Sequence, residues 1–348
     1  MAEENVSTKA AALKATLNVK GRFLYDRQGN KVVLRGVDYQ ALDQWKYPGI
    51  DYLDEVLQTG ANAIRIPWYK VYPTKGRGAF TIGNLTNLID RCVAAKVIPI
   101  VEFADFTSNA KMSLLSTVVT PWWTSTGDQT QNGVFAALKA RESCLILNLA
   151  NELGDYRWAE GETPAAALST YKTDYEKAIK AMRTAGYTCP LMIDAPDSGT
   201  SSEAFTTSGT GAALVASDPL KNVLLSAHAY WAGFDGRPGV QAAIAADLPI
   251  VIGEVANKEG DPPGNLPIYD LDGTNENTPT TTGFTYQSFL TTLLADQVGW
   301  LAWSWFPDDV DARNMSSDGS FAGLTTYGTD IVNNPTYGLK ATAVRVAP

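Results

Sequence analysis

Eight short runs of apolar and β-branched residues, bounded by turn residues and separated by segments with helical spacing, limit the fold more than any other feature of this chain. They are Val32–Tyr39, Ala63–Tyr69, Ile98–Asp105, Leu145–Glu152, Leu191–Pro196, Leu224–Trp231, Pro249–Ala256 and Gly299–Phe306. A run that is apolar on both faces suits a strand of a parallel sheet covered by helices. The intervening IDYLDEVLQTG, NLTNLIDRCVAAKV, YKTDYEKAIKAMRTAG and YQSFLTTLLADQVG read as helices, several ending at the glycine that a helix C-terminus favours. Eight such units in 348 residues fit an α/β (β/α)8 TIM barrel better than a six-stranded doubly wound sheet. The segment RFLYDRQGNKVVL, with its Gln28-Gly29-Asn30 turn, predicts a short N-terminal β-hairpin plugging the bottom of the barrel. Residues 1–16 read as an N-terminal extension, disordered in this reading, and residues 17–348 as a single TIM-barrel domain.

Composition narrows the partners. With 28 basic against 37 acidic residues the net charge is −9, and no Lys/Arg run is long enough to track a phosphate backbone, so neither nucleic acid nor an anionic membrane is expected as a partner. The opening MAEENVSTKAAALKA lacks a basic region followed by an apolar stretch, and nowhere do eighteen apolar residues follow one another. Neither a signal peptide nor a membrane span is predicted. A single histidine rules out sites built from several imidazoles, and no metal is expected. Cys92, Cys144 and Cys189 are too scattered for a disulfide framework and read as small buried hydrophobes near element ends. The absence of GxGxxG after a strand, of GxxxxGK[ST] and of a Gly-x-Ser-x-Gly elbow argues against a cofactor and against a Ser-His-Asp hydrolase. Asp270–Asn277 has oxygen ligands and a glycine in loose calcium-loop style but no closing glutamate, so a solvated loop is the expectation.

Polar residues cluster at the C-terminal ends of the runs: Asp38, Arg65, Asp105, Asn151 with Glu152, Asp194, His228 with Tyr230, Glu254, and Trp303 with Trp305. In a barrel those ends converge on the face that carries the active site. The segments Ser198–Gly211 and Glu259–Gly283 read as long loops shaping its rim. Glu152 and Glu254 end the fourth and seventh runs, on opposite sides of the ring. Two carboxylates facing one another across a cleft are the equipment for glycoside hydrolysis, one protonated to release the leaving sugar and one ionised. Partial burial and a nearby carboxylate would raise the acid's pKa. Asn151 offers an amide to a sugar hydroxyl, Arg65 a donor fork that keeps Glu254 ionised, and Tyr230 a hydroxyl that orients it. The nine tryptophans offer apolar faces for pyranose rings. Alternation along GWLAWSWF puts Trp303 and Trp305 on one strand face, while Trp68 and Trp231 fall at run ends. Taken singly, His228 reads equally as a structural histidine, any tryptophan as core, Arg65 as an ion-pair member and a strand-end glutamate as a solvated rim residue. The functional reading rests on their joint arrangement.

Through GANAIRI, NLANE, DPLKNVLLSAHAY, IVIGE, GWLAWSW and GLTTYGTDIVNNPTYGLKAT, the chain from Leu17 to Val344 resembles glycoside hydrolase family 5, with its nearest likeness to bacterial β-1,4-mannanases. The resemblance implies a retaining hydrolase of β-linked polysaccharide or oligosaccharide, endo-acting on mannan or glucomannan, monomeric and secreted, without a cofactor. It makes Glu152 the acid/base, Glu254 the nucleophile, Asn151 the partner of the sugar 2-hydroxyl, Arg65 and Tyr230 the supports of the nucleophile, His228 a sugar-contacting or acid/base-tuning residue, and Trp303 the platform under the −1 sugar. A β-1,4-glucanase or an exo-acting β-mannosidase would share these residues. In VEFADFT, Ala104 stands where the family carries a histidine, while Asp105 is retained; a catalytically impaired carbohydrate-binding barrel is therefore an alternative. The stretch IPWYKVYPTKGRGAF after the second run is longer and more aromatic than the resemblance leads one to expect, and would narrow one end of the cleft.

Overall fold

The computed structural model describes residues 15–41, 50–70, 81–126, 133–230, 235–259, 271–273 and 284–346. The predicted hairpin is a three-stranded antiparallel sheet, β1 (Asn18–Lys20), β2 (Phe23–Tyr25) and β3 (Lys31–Val32). The Asp26 carboxylate accepts the Asn30 amide at the β2–β3 turn, where Gly29 takes φ 91°. All eight runs form strands of one closed parallel barrel: β4 (Arg35–Asp38), β5 (Ala63–Trp68), β6 (Ile98–Phe103), β7 (Ile146–Asn148), β8 (Leu191–Asp194), β9 (Val223–Ala229), β10 (Ile250–Val255) and β11 (Gly299–Ala302).

The helical patterns begin where their caps place them. Thr81 accepts from the Asn84 amide ahead of Ile82–Ala94, and Thr163 from Ala166 ahead of Pro164–Ala185, which ends at Gly186 with φ 107°. Thr285 and Ser288 form a reciprocal capping box at Tyr286–Ala295. Among the described residues, no helix is long and apolar enough to cross a membrane.

Period-two alternation divides the barrel interior into layers. At the bottom Ala63, Ile98, Ile100, Ile146, Met192, Leu224, Val251 and Leu301 pack against Val19, Leu24 and Val32 of the plug. Two residues further along the strands the inward positions turn polar: Asp38, Arg65, Glu102, Asn148 and Asp194. The opposite strand faces join the helices in a larger core. All three cysteines are free and buried, as expected, and burial pushes the Cys92 and Cys189 thiols up to about 12.

Two expectations change. Ser198–Gly211 is not an open loop: it winds through 3-10 turns at Ser202–Phe205 and Thr207–Gly209 into helix Thr210–Ser217. Trp305 does not continue the alternation of Trp303, because β11 ends at Ala302. The Trp305 ring is buried and its indole N–H donates to the Gly319 carbonyl at 2.9 Å. Residues 1–14, Trp45, the 71–80 part of the aromatic loop, Trp231, and all of Asp270–Asn277 except 271–273 lie outside the described residues.

Candidate active site

A cavity of about 610 Å³ opens at the C-terminal ends of the barrel strands, lined on its floor by Glu102, Asn151, Glu152, Tyr230, Glu254 and Trp303. Arg65 is the hub beneath it. Wholly buried on β5, it donates from Nε to Asn148 (2.8 Å), from Nη1 to Asp38 (3.1 Å) and Glu254 (2.6 Å), and from Nη2 to Asn151 (2.8 Å) and Asp194 (3.2 Å). Glu102 Oε2 lies 2.9 Å from Nη1, off the direction of its N–H bonds. One guanidinium thus serves four buried carboxyl groups, which accounts for a pKa raised even above arginine's usual value although burial opposes the charge.

Glu254 reaches the cavity through a break in register. Ile252 pairs with Ala227 and Glu254 with the very next residue of β9, His228, so Gly253 is the extra residue of a bulge. A Cβ on Gly253 would lie 2.2 Å from Ser226 Oγ and 3.1 Å from His228 Nε2, so a side chain there would have to displace Ser226 and crowd His228. Tyr230 donates its hydroxyl to Glu254 Oε2 in a short contact. Burial, with Glu152 adding to it, keeps the Glu254 carboxyl's pKa above its usual range, and His228, Arg65 and the Tyr230 hydroxyl offset only part of that rise.

Glu152 follows β7 in left-handed backbone, φ 50°, an uncommon conformation of the kind that clusters at functional sites. Its amide donates to Asp194 Oδ2 at 3.3 Å. His228 Nδ1 lies 2.7 Å from Glu152 Oε1 and 3.6 Å from Glu254 Oε2, and its Nε2 is 3.7 Å from Asp194. Burial disfavours charge on this ring, but Glu254 and Asp194 outweigh it and hold the imidazole protonated well above its ordinary range. Asp194 responds in kind: burial pushes it up, yet His228 and Arg65 bring it down to about 2. Glu102, with Arg65 as its nearest cation, is pushed up to about 8 by burial.

One oxygen of Glu152, one of Glu254 and a nitrogen of His228 lie within 4.8 Å of one another, close enough to share a cation. The imidazole does not suit that use, because a protonated ring donating to Glu152 has no lone pair to give a metal.

The structure therefore brings Arg65, Asn151, Glu152, His228, Tyr230 and Glu254 into one hydrogen-bonded group. Trp303 lines the cavity with its indole N–H tied to Asp308, and Asp105, which accepts the Lys70 amide, also lines it. Two sequence candidates fall elsewhere. Trp68 and Trp305 are fully buried in the outer core and line no part of the cavity. Trp68 is an odd number of residues from the inward-facing Arg65, so it faces the helices. Trp122, Trp123 and Trp300 are also fully buried, which makes five of the nine tryptophans core residues. Conversely, the strand-end reading passed over Glu102 and Asn148, although both continue the inward alternation from Ile98–Ile100 and from Ile146. It also passed over Ser108 and Arg313 in the cavity wall, for which the sequence carries no such signal. Ala104 is in that wall too.

The sequence profile of the family described as Cellulase (glycosyl hydrolase family 5) matches residues 25–309. A mannan endo-1,4-beta-mannosidase of Salipaludibacillus agaradhaerens is 29% identical over 326 residues, covering 90% of each chain. Another of the same description, from Streptomyces lividans, is 28% identical over 331 residues, covering 93% of this chain and 75% of its own. Among solved structures, the beta-mannanase from Thermomonospora fusca superposes with a TM-score of 0.73 over 95% of this chain and 98% of that one; at 20% identity the likeness is one of fold.

Proposed function

Because the chain belongs to glycosyl hydrolase family 5, we propose that it cleaves β-1,4-mannosidic bonds within mannan or glucomannan chains by double displacement. The observation that carries this reading is the approach of Glu152 and Glu254, with oxygens inside 4.8 Å across the cavity floor. Direct attack on the sugar needs carboxyls about 5–5.5 Å apart, whereas an inverting site needs about 6.5–9.5 Å to admit a water. In the first step a Glu254 oxygen bonds to C1 while the C1–O bond breaks and Glu152 delivers its proton to the departing oxygen. In the second, Glu152 takes a proton from water, whose oxygen displaces Glu254 from C1. Arg65 and Tyr230 hold the attacking carboxylate in one orientation before substrate arrives, which lowers the cost of reaching the transition state. Trp303, its polar edge engaged by Asp308, is left with its ring faces to offer a sugar. The preference for mannan, and for cutting within the chain, draws on the names of the two relatives. A polymer too large to cross a membrane also argues for action outside the cell.

Hydrolysis of mannan, glucomannan, carboxymethylcellulose and aryl β-mannosides, with product lengths resolved, tests the reading. Mixed oligosaccharides from mannan support it. Mannose alone would make the enzyme exo-acting, preference for carboxymethylcellulose a glucanase, and no turnover of any substrate a binding barrel. Glu254→Ala should abolish activity and regain part of it with azide; full activity in that variant would overturn the assignment of the nucleophile.

A further inference from the structure

The loop after β6 folds back over Glu152 and is stitched there. Gly154 donates its amide to the Asn109 carbonyl at 2.9 Å, Asn151 donates to Thr107 Oγ1 at 3.1 Å, and Thr107 donates to the Ala104 carbonyl at 2.9 Å. Within this loop Phe106 and Ser108 both take left-handed backbone, with φ 70° and 56°. That conformation is unfavourable for residues with a side chain and persists where the surroundings impose it. Here it directs the Ser108 hydroxyl into the cavity, where Oγ donates to Glu152 Oε2 at 2.7 Å. The two Glu152 oxygens are thus held differently: Oε1 faces a ring nitrogen, Oε2 a hydroxyl.

We propose that Ser108 is a positioning residue for Glu152, and that the proton delivered to the leaving sugar rides on Oε2, the oxygen Ser108 holds. Oε1 already takes the charged N–H of His228, which makes it the less basic of the two oxygens, whereas Oε2 faces a neutral hydroxyl. A hydroxyl both donates and accepts, so it holds Oε2 whether the carboxyl is ionised or protonated. When substrate enters, the glycosidic oxygen takes the Oε2 proton as the C1–O bond breaks, and Ser108 then donates to the carboxylate left behind. With alanine at 104, this hydroxyl is the cavity-side contribution of the loop to Glu152. The inference rests on the acid/base reading of Glu152 given above.

The test compares Ser108→Ala and Ser108→Gly with Glu152→Ala on aryl β-mannosides of graded leaving-group pKa and on manno-oligosaccharides. Both Ser108 variants should lose kcat/KM by at least about tenfold on poor leaving groups and by less than about twofold on dinitrophenolate, which needs no protonation. Loss of a donor to the ionised form should move the alkaline limb of the pH profile upward. Glycine is at ease at this φ, so Ser108→Gly should melt no lower than wild type while showing the same kinetic change, separating the hydroxyl from backbone strain. Equal losses on all leaving groups with an unmoved alkaline limb, or unchanged kinetics in both variants, would overturn the inference. If Glu152→Ala itself shows no dependence on leaving group, the acid/base assignment fails first and the role of Ser108 with it.

Discussion

Replacing Glu102 by glutamine removes a titrating proton from the floor of the cavity while keeping the side chain's shape. The wild-type carboxyl is pushed up to about 8 by burial, against the pull of Arg65 2.9 Å away. In the unfolded chain the same group titrates near pH ~4.3. The folded state therefore keeps a proton that the unfolded state has lost, and the stability Glu102 contributes is whole at low pH and declines until about pH 8. At about 1.4 kcal/mol per pH unit, the decline between pH 5 and pH 8 comes to roughly 3.5 kcal/mol. Glutamine stays neutral throughout, with its amide oxygen available to Arg65, so the variant lacks this decline. For a chain of this length, with an unfolding entropy of about 0.7 kcal/mol per degree, the variant's melting temperature should gain on wild type by about 5 °C from pH 5 to pH 8 and stay level beyond pH 9. Calorimetric melts of both proteins in matched buffers read this directly. Parallel pH profiles would refute the reasoning, because they would mean that Glu102 is ionised throughout. So would a variant already about 3 kcal/mol less stable at pH 7, since Arg65 would then depend on that carboxylate.

Arg65→Met leaves Asp38, Asp194 and Glu254 buried without their shared cation, and should cost about 3–5 kcal/mol in urea unfolding together with at least about a hundredfold in turnover. Arg65→Lys should not restore turnover, since a point charge cannot reach Asp38, Asn151, Asp194 and Glu254 at once. Gly253→Ala should lower both the melting temperature and kcat, because its methyl group meets Ser226 and His228; unchanged kcat would show that the bulge tolerates a side chain. Trp303→Ala should raise KM for manno-oligosaccharides about tenfold, whereas Trp305→Phe should leave KM alone and lose about 1–3 kcal/mol of stability with its hydrogen bond to Gly319.

The barrel was legible because each strand announces itself as a run apolar on both faces, and the register of runs against helices left little alternative. The convergence of Glu152 and Glu254 on the cavity floor was legible for a related reason: each closes such a run, and in a barrel the run ends meet on one face. Side-chain direction was harder. Ending a run places Trp68 near the rim but not on the inner face, and only counting back from Arg65 by twos shows that it points to the helices. Past Ala302 even that count fails for Trp305, because the chain has left the strand. Glu102 could have been found by the same count starting from Ile98. Ser108 could not, since a positive φ at a non-glycine residue arises from the tethers between two loops and leaves no mark on local sequence.

The apolar plug under the ionic layer bears on how such an enzyme can change. The layer beneath the ring is apolar and offers no polar group to absorb a stray charge, so its carboxyl groups and Arg65 are bound into a single electrostatic sum. Losing or gaining one charge on any strand has to be answered on another, which makes the ring slow to vary by single steps. Residues past the strand ends, such as Ala104 and Ser108, line the cavity above that layer without entering that sum. New substrate preferences on this scaffold are therefore expected to arise at the rim, one side chain at a time, above a floor that stays fixed.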